Sequence, residues 1–97
     1  MELTPGTQNR KQEPRQWQVG DLISHKQTGI IALILAVWDI TLVVIARTGT
    51  VKRLSKLQAN TLWKLLHNTG ISYQFKNQEQ VQRDYQNGLF IPFFEIL

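Results

Sequence analysis

GIIALILAVWDITLVVIA, residues 29–46, is the only long apolar run in the chain, and its interpretation decides the fold. Hydropathy alone fits two structures, a membrane-spanning helix or a β-hairpin. A spanning helix needs about 20 consecutive apolar residues. This run is slightly shorter, and Asp39 stands at its middle, where a carboxylate costs about 2.5–3.5 kcal/mol on insertion scales. The run is also heavily β-branched, with Ile30, Ile31, Ile34, Val37, Ile40, Thr41, Val43, Val44 and Ile45. A branched Cβ is stiff at χ1 and packs well on a pleated surface. The stretch therefore predicts two strands, 30–37 and 40–47, with Trp38-Asp39 as the bend, and no membrane association.

Both alternating faces of that hairpin are apolar. Successive strand residues point to opposite sides. Ile30, Ala32, Ile34 and Ala36 fall on one side, and Ile31, Leu33, Leu35 and Val37 on the other. A strand in a small barrel buries one face and shows the other to water. The outside of this hairpin therefore needs cover. The chain ends LFIPFFEIL, in which Leu89, Phe90, Ile91, Phe93, Phe94, Ile96 and Leu97 are large and apolar. That tail is the expected cover, folded back within the chain or donated to a neighbouring subunit. Together with Ile31, Leu33 and Leu35 it forms the candidate protein interface, because an exposed apolar surface of that extent marks an association site.

Outward from the hairpin, residues 17–26, WQVGDLISHK, predict a first strand with Trp17, Val19, Leu22 and His25 half-buried. Gly20-Asp21 marks a tight bend, and Gln27-Thr28-Gly29 a turn. Residues 1–16 are polar, rich in Gln and broken by Pro5, Gly6 and Pro14, so they predict a flexible arm, free or ordered by a partner. They contain no apolar signal-peptide core, so the expected location is the cytoplasm or a virion. On the other side, Thr48-Gly49 predicts a hairpin turn into a strand at 50–54. Ser55 and Gln58 are spaced as a capping box. They open either a helix to Leu66 or a single 3₁₀ turn before a last strand at 62–66. The second is preferred, because Asn60-Thr61 interrupts the helical stripe and LWKLL alternates. Residues 67–70 form a linker, 71–75 a short strand, and Asn77 caps a helix over about 78–87 that ends at Gly88. Pro92 excludes an interior strand or mid-helix position in the tail. The organisation is an arm (1–16), a barrel (17–67) and a C-terminal extension (68–97) carrying that helix and the apolar tail 89–97.

The middle segment resembles small SH3-like β-barrels. The residues that carry the likeness are WQVGDLISHK, the central pair GIIALILAV and ITLVVIARTG, then TVKRLS and SKLQANTLWKLL. Their order looks like barrels of the KOW type and like short phage-encoded GDL-x-x-HK proteins. It departs from the KOW pattern after Gly29, where Ile30-Ile31-Ala32-Leu33 stand in place of further glycines. The resemblance implies a mainly β fold, a small barrel of about five strands, and a role as a building block of a larger assembly such as a phage virion.

Little in the chain points to catalysis. There are no cysteines, and the two histidines, His25 and His67, are far apart. No converging acid, base and nucleophile, phosphate loop or metal-ligand spacing is present, so no enzyme activity, cofactor or metal is expected. Asp21 is expected to shape a turn. The net charge is +4, and residues 17–67 hold Lys26, Arg47, Lys52, Arg53, Lys56 and Lys64 against Asp21 and Asp39. Lys52, Arg53, Lys56 and Lys64, with Trp63 or Trp38 to stack a base, form the candidate nucleic-acid surface. Two functions of different class follow: a non-catalytic protein–protein interaction or assembly module, and, as the alternative, a nucleic-acid-binding regulator.

Overall fold

The computed structural model describes residues 16–95. The expected arm, apart from Gln16, lies outside the described residues, as do Ile96 and Leu97. Five strands form one antiparallel sheet: β1 (Asp21–His25), β2 (Ile31–Val37), β3 (Thr41–Ala46), β4 (Val51–Ser55) and β5 (Trp63–Asn68). Their spatial order is β4-β3-β2-β1-β5. Among the described residues, three short helices accompany the sheet: α1 (Lys56–Leu62), α2 (Gln78–Gln86) and α3 (Ile91–Glu95).

The apolar run 29–46 forms the adjacent strands β2 and β3 of this sheet. β2 and β3 pair from Ala32↔Ala46 to Val37↔Leu42 around the bend at Trp38-Asp39. The register shifts between Ile34 and Ala36, so Leu35 is the extra residue of a bulge. From there on the side-chain alternation of β2 reverses. Leu35 joins Leu33 on one face, while Val37, opposite Leu42, packs on the other. β1 differs from the expected strand, which began at Trp17. Residues 17–20 form a turn, in which the Gln18 carbonyl accepts the Asp21 N–H and the Asp21 carboxylate accepts the Gln18 N–H. Gly20 has φ of 92°, and the strand starts only beyond it.

Each face of the sheet has its own core. On the first, Ile23, Ala32, Ile34, Leu42, Val44 and Leu54 pack with Trp17, Trp63 and Ala59 of α1. On the second, Leu22, Leu33, Leu35 and Ile45 pack with Val81 of α2 and with Phe90 and Phe94. Ile71, Tyr73 and Phe75 border this second core. Residues 71–75 alternate in burial, but among the described residues they pair with no strand, contrary to the strand expected there.

The expected closed barrel is an open sheet, with β4 and β5 at its edges. Between them lies α1, a seven-residue α-helix rather than the preferred 3₁₀ turn. Ser55 caps it by accepting the Gln58 N–H at 2.9 Å. It packs on both β4 and β5 and buries Ala59 in the first core. A helix seated there supplies the cover that direct pairing of the two edges would otherwise give. The last strand follows it immediately at Trp63.

Candidate basic and aromatic cleft

The bend between β2 and β3 leaves the Trp38 indole 41% exposed. β4, the neighbouring edge strand, places Arg53 opposite Val43. Its guanidinium carbon lies 5.2 Å from the centre of the Trp38 ring, a cation–π distance. Phe75 meets the same indole edge-on, with ring centres 5.9 Å apart and an interplanar angle of 67°. Phe75 belongs to the segment that leads to α2. Lys76 and the cap residue Asn77 follow it, and Asn77 Oδ1 accepts the Gln80 N–H at 2.8 Å.

These residues enclose a cleft of about 390 Å³, with Val43 and Val51 at its base and Lys52, Arg53 and Lys76 around it. Among the described residues no carboxylate lines it; Asp39 and Glu79 are exposed and adjoin lining residues in sequence. Lys52 also lines a cleft of about 380 Å³ with Arg47 and the turn residues Thr28, Gly29, Thr48 and Thr50. With Arg53 it lines a third, of about 480 Å³, with His25, Gln58 and Trp63. Successive residues of β4 point to opposite faces, yet Lys52 and Arg53 both line the cleft beside Trp38. At an edge strand both long side chains reach the same cleft.

The expected nucleic-acid residues are dispersed by the sheet. Lys52 and Arg53 lie on the β4 edge. Lys64 is exposed on β5, opposite Ser24, at the other edge. Lys56 is half-buried at the start of α1. Trp63 is a core residue, 6% exposed, with its ring 5.1 Å from His25 in an edge contact. Trp38 is the exposed indole. Phe75, Lys76 and Asn77 were not foreseen as site residues. Their only signal in the sequence is the alternation of Ile71, Tyr73 and Phe75, which gives that segment one face to lay on the sheet.

Of the expected protein-interface residues, Leu33, Leu35 and Phe90 are completely buried, and Phe94 nearly so. Ile31 and Phe93 are half-buried, and Leu89 and Ile91 are exposed. The extension thus covers the sheet within the chain. Polar contacts hold it there: the Tyr85 hydroxyl donates to the Arg47 carbonyl at 3.1 Å, and Gln82 Nε2 to the Gly49 carbonyl at 3.2 Å.

Asp21 and His25 bond within the fold, while the buried His67 Nε2 has no hydrogen-bond partner among the described residues. Asp21 accepts from Asn68 Nδ2 at 2.8 Å as well as from the Gln18 N–H, tying the first turn to the end of β5. His25 Nδ1 accepts the N–H groups of Gln27 and Thr28, each at 3.2 Å. Among the described residues, no helix is long and apolar enough to cross a membrane. No protein-family model matches the chain, and no curated protein or solved structure does.

Proposed function

We propose that this chain is a non-catalytic binding module that holds a nucleic-acid backbone in the cleft along β4. One observation carries this: Lys52 and Arg53 of β4 and Lys76 of the extension converge on a concave surface whose lining, among the described residues, holds no carboxylate. Cations gathered this way attract a polyanion and release its condensed counterions. The helical turn before the last strand, and the return of that strand to β1, support an SH3-like module in open form.

Titration of the full chain with labelled DNA at low and moderate salt tests the proposal. Three phosphate contacts predict that log affinity falls with log salt with a slope of about −2 to −3. Replacing Lys52 and Lys76 with Gln lowers both affinity and slope. No binding at low salt, or a flat salt response, sinks it.

A second function of a different class is an assembly component, such as part of a phage virion. The observation that favours it is an exposed apolar pair, Ile40 at 72% and Leu57 at 78%. The Lys56 N–H donates to the Ile40 carbonyl at 2.9 Å, which ties the bend before β3 to the start of α1, where Leu57 follows. Sedimentation at rising concentration distinguishes the two: self-association abolished by Leu57→Ser favours assembly, and a monomer that binds DNA favours the cleft.

A further inference from the structure

We infer that the cleft is selective for unpaired strands, with Trp38 as the platform on which one base stacks; this rests on the nucleic-acid function proposed above. Charge alone would hold any polyanion. The aromatic wall adds something a duplex cannot use, because the faces of paired bases are hidden in their own stack.

Three features make Trp38 fit this role. Its indole is the exposed one of the chain's three tryptophans, 41% accessible against 6% for Trp17 and Trp63. It is held in place on two sides, by the Arg53 guanidinium at 5.2 Å and the Phe75 ring at 5.9 Å. A ring already fixed loses little side-chain freedom on binding. The cleft beside it, about 390 Å³, lies in the range of small-ligand sites and so admits a base rather than a double helix. Lys52 and Lys76 line the same cleft and supply the phosphate contacts beside the stacked base. The uncharged polar lining is Gln78 and Asn77, whose Oδ1 is already engaged by the Gln80 N–H; these are too few directed groups to read a base edge, so little sequence preference is expected.

The test compares three probes against the full chain: an oligothymidylate, a duplex of the same length, and inorganic polyphosphate. Anisotropy of the labelled strands and tryptophan emission are followed together, with unlabelled polyphosphate measured by competition. The expected result is tighter binding of the oligothymidylate than of the duplex, with quenching of tryptophan emission. Trp38→Leu should weaken the oligothymidylate roughly fivefold or more, the stacking energy of one base, and leave polyphosphate unchanged. Trp38→Phe, which keeps an aromatic face, should restore most of the affinity. A matching urea midpoint shows that the variants fold; should Trp38→Leu not fold, quenching and the strand preference of the native chain still decide. If all three probes bind alike without quenching, or Trp38→Leu changes nothing, stacking is overturned and the electrostatic function stands. If none binds at low salt, both fall.

Discussion

Tyr73 shows how one side chain ties the extension together. Its hydroxyl donates to Asp84 Oδ2 at 2.6 Å, and its ring lies 5.4 Å from that of Phe90. Burial first, then the hydrogen bond with Asp84 and the charge of Asp84, push the phenol well above its ordinary pKa of 10.0. The folded protein thus keeps a proton that the unfolded chain gives up. That contribution to stability is complete below about pH 10 and is lost as pH rises toward the folded value. Tyr73→Phe should cost about 1 kcal/mol at pH 7, the net worth of the hydrogen bond. The gap between the native chain and the variant should narrow above pH 10. Urea unfolding at pH 7, 9 and 10.5 measures it, and a gap that stays constant or widens would contradict the assignment.

At the scale of elements, the docking of α2 on the β3–β4 turn depends on a glycine. Gly49 has φ of 100°, and a Cβ there would sit 2.7 Å from Tyr85 Cε2. The turn thus demands glycine twice, for its backbone and for the ring of α2. Gly49→Ala should destabilise by about 1–3 kcal/mol, from backbone strain and displacement of Tyr85. In a Tyr85→Ala background, Gly49→Ala should cost less, since the clash is gone and only the strain is left. Thermal unfolding of the two single variants and the double variant gives the coupling. The turn itself was legible, because Thr48-Gly49 between apolar strands has one common solution. Its second demand was not, since nothing local at Gly49 announces a tyrosine 36 positions along the chain.

At the scale of the whole molecule, the described residues form a sheet with a core on each side, and the second core depends on the last third of the chain. Phe90 and Phe94 pack with Leu33 and Leu35. Truncation after Gly88 would uncover that face. The shortened chain should self-associate and lose cooperative unfolding. Phe90→Ala alone should cost about 3–5 kcal/mol, the usual range for a buried phenylalanine. Light scattering and calorimetry read both, and a truncated monomer with the native melting profile would show that the tail contributes no cover. Since Phe75 and Lys76 enter the cleft from the same extension, loosening it should also weaken binding there.

Local chemistry is enough to define much of this protein. The β-branched run with Asp39 at its centre has no comfortable place in a membrane, so it must be a hairpin. Ser55 and Asn77 accept backbone N–H groups at the starts of α1 and α2 because their short polar side chains suit no other place so well. The apolar character of both hairpin faces demands cover, whatever its source. Three things depend on residues meeting across long stretches of chain. The Leu35 bulge depends on how β3 registers against β2, and it reverses which residues share a face. The open sheet depends on Ala59 packing between its edges. The cleft depends on Phe75 and Lys76 arriving beside Trp38 and Arg53, from a segment whose sequence carries only an alternating pattern. Propensity and capping act within a few residues, whereas cover, register and the convergence of cations are properties of the packed chain.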